Sequence, residues 1–176
     1  MNFFGHLKTI TRHRHQVMKN CFKCGLYKRG LLHDLSKYSP VEFFRGVKYY
    51  QGGKRSPNAR ENEIFGYSAA WLHHKGRNPH HYEYWTDYNV NTKTIEPVPM
   101  KTEYLIEMFC DRVAACKVYK GKDYTDSSAL EYYTRRGERR FMHPETAEKL
   151  EKLLEMLAEK GEKETFAFIK KNRKTL

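Results

Sequence analysis

The sequence predicts an all-α protein, a single-domain helical bundle over residues 1–176, and three observations predict it. Apolar residues recur three and four apart, as in Leu150, Leu153, Leu154 and Leu157. Helix starts are punctuated by Ser39-Pro40-Val41-Glu42 and by Asn78-Pro79. No stretch alternates strongly enough to predict a strand.

The first helix is expected from about His6 to Tyr27, with Leu7, Ile10, Val17, Met18, Cys21 and Phe22 on one side. A short helix carries Leu31 to Lys37. Another begins at Ser39, where Ser39 and Glu42 read as a capping box and so as structural residues. Gln51 to Asn58, with two glycines and a proline, reads as a loop. A helix follows through Ile64, Phe65, Ser68, Trp71 and Leu72 to about Lys75, and a short one carries His80, His81, Tyr84 and Trp85. Asn89 to Pro99 reads as a polar loop long enough to act as a lid. A long helix spans Thr102 to about Tyr119. The segment from Gly121 to His143 is mixed and basic. Pro144 opens an amphipathic helix, and Glu164 to Lys171 closes the chain, packing through Phe166, Phe168 and Ile169.

The 176 residues are enough to bury a real core, and 39% hydrophobic with 31% charged content excludes a disordered chain. No run is long enough to span a membrane. The first residues lack the pattern of a signal peptide, so the expectation is a cytoplasmic protein. The net charge of +12 favours phosphate-rich or other anionic partners. Much of the excess reads as spread, from Arg12 and Arg14 to the tail Lys170 to Lys174. Of the four cysteines, Cys21 and Cys24 form a C-x-x-C on the apolar side of a helix, while Cys110 and Cys116 have five residues between them. A four-thiolate zinc site fits that spacing poorly, and reduced buried thiols fit it better.

His33-Asp34 is the densest chemical signal. It pairs an imidazole with a carboxylate, the nitrogen and oxygen donors a divalent cation takes. It has company in His13 and His15, in the pairs His73-His74 and His80-His81, and in Asp111. On a helical wheel Asp111 falls within about 60° of the inward Tyr104, Met108 and Ala115. An inward carboxylate needs a cation, either the neighbouring Arg112 or a metal. Periodicity leaves His13 and His15 open. Of the doubled histidines, His74 and His81 are the choices over His73 and His80. Lys37 shares a helix face with His33, and Asp34 points about 100° from His33. Lys37 and Arg77 are the candidates for binding an oxyanion at the site.

Taken in order, His13, His33-Asp34, the two histidine pairs and Asp111 resemble the H…HD…H…H…D pattern of the HD-domain superfamily of metal-dependent phosphohydrolases. Leu31-Leu32-His33-Asp34-Leu35-Ser36-Lys37 is similar to that superfamily's usual helix, and His13-x-x-x-Val17 to its opening one, which favours His13. More narrowly, Cys21 to Tyr27, His33 to Phe43, Ala70 to Trp85 and Glu107 to Ala115 resemble a family of uncharacterised bacterial and phage HD-like proteins. The pattern covers about residues 11–120 and leaves 121–176 as a helical extension. The resemblance implies an HD-type bundle around one or two divalent ions, with Mn, Fe, Co, Ni and Zn all admitted by the ligand types. One ion is then held by His13, His33, Asp34 and Asp111, and a second by Asp34, His74 and His81. It implies hydrolysis of phosphomonoesters or phosphodiesters, with a nucleotide-like substrate, by a metal-activated water, with Asp34 and Lys37 as catalytic residues.

Two other classes compete. One is an HD-type di-iron oxygenase, for which Tyr82 or Tyr84 near the site is suitable. The other is a non-enzymatic basic helical protein that binds nucleic acid. Bound iron with oxygen uptake marks the first, and steeply salt-dependent binding without turnover marks the second.

Overall fold

The computed structural model describes residues 2–176, and it is mostly helical. Eight α-helices are present among the described residues: α1 (Phe3–Lys23), α2 (Tyr27–Leu32), α3 (Pro40–Lys48), α4 (Pro57–Phe65), α5 (Ala69–Lys75), α6 (Thr102–Lys120), α7 (Ser128–Arg136) and α8 (Pro144–Asn172). One antiparallel hairpin, β1 (Thr86–Asn89) with β2 (Thr94–Pro97), joins α5 to α6. No helix among the described residues is long and apolar enough to cross a membrane.

Helix α6 lies at the centre. Leu105 to Cys110 are buried without a break, so the helix is covered on nearly every face. Val17 and Cys21 of α1, Leu150, Leu153, Leu154 and Leu157 of α8, and Tyr133 of α7 join it in the main core. Each fully buried leucine contributes about 1.5–3 kcal/mol. The distal part of α8 folds back at Gly161, whose φ of 75° breaks the helix. Phe166 and Ile169 beyond the break are buried, whereas Phe168 is exposed. A smaller cluster of Ile10, Phe43 and Val47 ties α1 to α3.

Several local expectations change. The expected helix from Ile64 to Lys75 is two helices, because Gly66 takes φ 78° and caps α4. Asn78 to Trp85 forms a turn and a single 3₁₀ turn over Tyr82–Tyr84 rather than a helix. The expected lid loop is the hairpin, in which Tyr88 pairs with Ile95. Its turn is held by the Asn89 carboxamide oxygen, which accepts from the amides of Asn91 and Thr92, and by Glu96, which accepts from the Asn89 amide and the Thr92 and Thr94 hydroxyls. These bonds are short-range and polar, which is why hydrophobic patterning does not announce the strands.

Candidate metal centre

The turn at His33-Asp34 is the largest departure from the expected helix. Helix α2 ends at Leu32, His33 is extended (φ −52°, ψ 129°), and Asp34 sits in the left-handed region at φ 54°. A 3₁₀ turn then runs over Leu35–Tyr38. A continuous helix separates neighbouring side chains by about 100° and turns them to different faces. The break turns both inward: His33 and Asp34 are each 1% exposed. Aspartate tolerates this backbone better than most residues. The turn is clamped by Arg14, whose guanidinium donates to the carbonyl oxygens of Leu31 and His33.

Around Asp34 the chain brings together five histidines. The Oδ1 atom lies 3.2 Å from His74 Nε2 and 3.3 Å from His80 Nε2. The Oδ2 atom lies 3.2 Å from His33 Nε2, 3.7 Å from His13 Nε2 and 2.5 Å from Lys37 Nζ. Asp111 Oδ1 sits 2.9 Å from His13 Nε2, and its other oxygen is 4.0 Å from His80 Nε2. His81 packs at a tilt against His80 and His74 and edge-on to Trp71, with ring centroids 4.1, 4.8 and 4.7 Å away. Three overlapping groups have donor atoms close enough for one ion: Asp34, His74, His80 and His81; His13, His33 and Asp34; and His33, His80 and Asp111.

Two carboxylates stand behind the imidazoles. Glu107, one helical turn before Asp111 on α6, places Oε1 2.9 Å from His33 Nδ1 and 3.4 Å from His80 Nδ1. Glu42 on α3 accepts from His74 Nδ1 at 2.8 Å and from His73 Nδ1 at 2.7 Å. Both leave Nε2 of His33, His74 and His80 aimed at Asp34. Asn78 secures the far end of α5 through the His74 carbonyl, and Trp85 Nε1 donates to the Pro79 carbonyl, fixing the turn that carries His80 and His81.

The electrostatics call for positive charge. Burial alone raises the Asp34 and Asp111 carboxyls, but the surrounding imidazoles, and for Asp34 also Lys37, hold both well below the usual range. Burial lowers His80, yet the Asp34 and Glu107 carboxylates beside its two nitrogens prevail and raise it to about 10. His13 and His74 are also raised against burial by their carboxylate neighbours. His81 is driven well below its ordinary value by burial and by His80 and His74. Lys37 is held protonated: burial opposes the charge, and the Asp34 carboxylate outweighs it.

These residues fit a metal. The Nε2 atoms of His13, His33, His74, His80 and His81 and both Asp34 oxygens are buried and crowd one another, with Asp111 and Lys37 at the edge, yet none completes a well-formed hydrogen bond among the described residues. An unsatisfied buried polar atom costs about 1–3 kcal/mol. Seven of them, all donors of the types a divalent cation takes, converge on one small volume.

Sequence reasoning placed His13, His33, Asp34, His74, His81 and Asp111 at the site, and the structure brings all six together. It adds His80, set below His81 on sequence, which reaches Asp34 directly. His73 is outside, partly exposed and bound to Glu42, and His15 is exposed. Arg112 pairs with Glu138 and not with Asp111. Lys37 touches Asp34, three residues before it, because side chains three apart are neighbours on a helix and are aligned more closely still in the 3₁₀ turn. Arg77 is exposed and donates to the His73 carbonyl oxygen, away from the cluster. Glu42 is no capping-box residue: the Ser39 side chain makes no capping bond, and the Glu42 carboxylate turns inward to the histidines. Tyr82 packs on the main core and Tyr84 is exposed. Cys24 and Cys110 sulfurs approach to 3.7 Å in the core, and all four cysteines are free.

A family model described as a family of unknown function (DUF5662) matches residues 2–156. No curated protein and no solved structure matches the chain.

Proposed function

We propose that this chain, which belongs to the DUF5662 family of unknown function, is a metal-dependent phosphohydrolase whose centre is built around Asp34. The observation that carries the reading is the convergence of five buried imidazole nitrogens, none in a well-formed hydrogen bond, on the two Asp34 oxygens. His13, His33, Asp34 and Asp111 would hold one ion, and Asp34 with His74, His80 and His81 a second.

A divalent ion bound there supplies a water of lowered pKa and a Lewis acid for a phosphoryl oxygen. The protein does the rest. Asp34 turns one oxygen to each half of the cluster, so it would be the residue common to both ligand sets. Glu107 and Glu42 accept from the Nδ1 atoms and fix the tautomer that leaves Nε2 free. Lys37, protonated and partly open to solvent beside Asp34, would be the cation that meets an anionic substrate. Asp111 and His13, the least buried of the ligand set beside His81, mark the open side.

Hydrolysis of p-nitrophenyl phosphate and bis(p-nitrophenyl) phosphate, with manganese or zinc added, tests the reading. Turnover that falls at least a hundredfold in Lys37→Met, with metal content kept, supports it. Metal-loaded protein that hydrolyses neither ester, nor nucleotides, and consumes oxygen instead would replace it with the di-iron oxygenase.

A further inference from the structure

The excess charge is not spread evenly. Residues 1–60 carry thirteen Lys and Arg against two carboxylates, a net of +11 out of the chain's +12. Both carboxylates, Asp34 and Glu42, are buried in the metal cluster. The surface of the first third of the chain therefore carries no acidic residue.

Part of this charge is ordered along α1. Lys8, Arg12, His15 and Lys19 are exposed, at the spacing of one helix face, while His13, Val17 and Cys21 are buried on the other. From Lys8 to Lys19 the row runs about 16 Å. The side chains of Lys8, Arg12 and Lys19 make no ion pair or hydrogen bond among the described residues. By contrast Lys23, at the end of the row, is held by Glu162. Aromatic faces flank the row: Phe4 is 80% exposed, the Tyr38 hydroxyl meets Thr11 Oγ1 at 3.0 Å, and exposed Tyr27 stands edge-on to Phe22.

We propose that the outer face of α1 is a docking surface for single-stranded nucleic acid, with phosphates on Lys8, Arg12 and Lys19 and bases against Phe4, Tyr38 and Tyr27. Unpaired cations in a row, interleaved with aromatic side chains, are what an extended polynucleotide engages. A helix lying on a membrane turns its apolar face outward. Here Ile10, Val17 and Cys21 are turned in, so a polynucleotide is favoured over a lipid surface. A second copy of so basic a face is repelled. The inference goes beyond the phosphohydrolase reading and does not rest on it, because these cations point away from the metal cluster.

The test is fluorescence anisotropy of a labelled 20-nucleotide oligothymidylate with the as-purified protein over a salt series. Two triple variants are compared: Lys8→Gln/Arg12→Gln/Lys19→Gln, and Lys93→Gln/Lys122→Gln/Lys163→Gln, which removes the same charge from exposed positions elsewhere. Circular dichroism checks that both are folded. The proposal expects saturable binding that weakens with salt. It expects at least a tenfold loss in the α1 variant, a salt slope shallower by about 2, and less than a twofold change in the other. Equal losses in both variants overturn it, as does absence of binding by the wild type. Binding to phosphatidylglycerol vesicles without binding to the oligonucleotide also overturns it and assigns the face to a membrane.

Discussion

Glu107 Oε1 lies 2.9 Å from His33 Nδ1, on the side of the imidazole opposite Asp34. The same oxygen is 3.4 Å from His80 Nδ1. One carboxylate thus orients two rings whose Nε2 atoms point at the same aspartate. If these rings ligate metal, Glu107→Gln, which keeps the shape and loses the charge, weakens metal affinity by about 10–100-fold. Competition with a chromogenic chelator reads this directly. An unchanged affinity would reduce Glu107 to a packing residue.

His80 and His73 separate on similar grounds. His80 is buried with Nε2 facing Asp34, whereas His73 is partly exposed and its ring bonds to Glu42. His80→Ala is expected to lower the metal content per chain, and His73→Ala to leave it at the wild-type level. Elemental analysis of both proteins checks the pair, and equal losses would contradict the placement.

His6 is a buried base outside the cluster. Its ring packs against Phe43 and Tyr50, and a Cβ on Gly46 would lie 2.2 Å from its Nε2. Burial, and then the charge of Lys37, lower its pKa to about 4. Between pH 6.5 and 4 the unfolded chain therefore takes a proton that the native state refuses. Stability falls as pH drops through that window and is unaffected above it, with a full cost of about 3 kcal/mol. Denaturant unfolding of wild type and His6→Gln at pH 7 and pH 4.5 isolates this term. The wild type should lose about 2–3 kcal/mol relative to the variant on acidification, and parallel profiles would refute it.

The cysteines give a chemical check on the core. Cys21, Cys24 and Cys110 are buried and Cys116 is partly exposed. Burial raises the Cys110 thiol well above its ordinary value and also raises Cys116, so neither is activated. Native protein should react with a thiol reagent slowly and at no more than one site, and denatured protein at four. Rapid reaction of three thiols in the native state would contradict the packing of α1 on α6.

How far the site was legible depends on the residue. His33-Asp34 announced itself by type, and Asp111 by its place on the inward edge of a helix. Glu107 was readable in principle, since it stands four residues before Asp111 on the same face. Glu42 was hidden because Ser39-x-x-Glu42 satisfies a local pattern equally well, and only the docking of α3 on α5 shows that the carboxylate serves His74. The choice between His80 and His81 depended on a turn that no periodicity specifies. The left-handed Asp34 was also out of reach, because Leu31 to Lys37 reads locally as continuous helix. Helix positions were readable from apolar spacing, while the hairpin is held by side-chain bonds of Asn89 and Glu96 that leave no hydrophobic trace.

The central claim is that Asp34 holds metal, and metal content by mass spectrometry on untagged protein tests it most directly, with wild type beside Asp34→Asn and Asp34→Ala. The account predicts one or two divalent ions per chain in the wild type and their loss in both variants, with circular dichroism showing both still folded. A wild type that stays empty after incubation with manganese, iron and zinc would contradict it, as would a folded Asp34→Ala protein that keeps its full complement of metal.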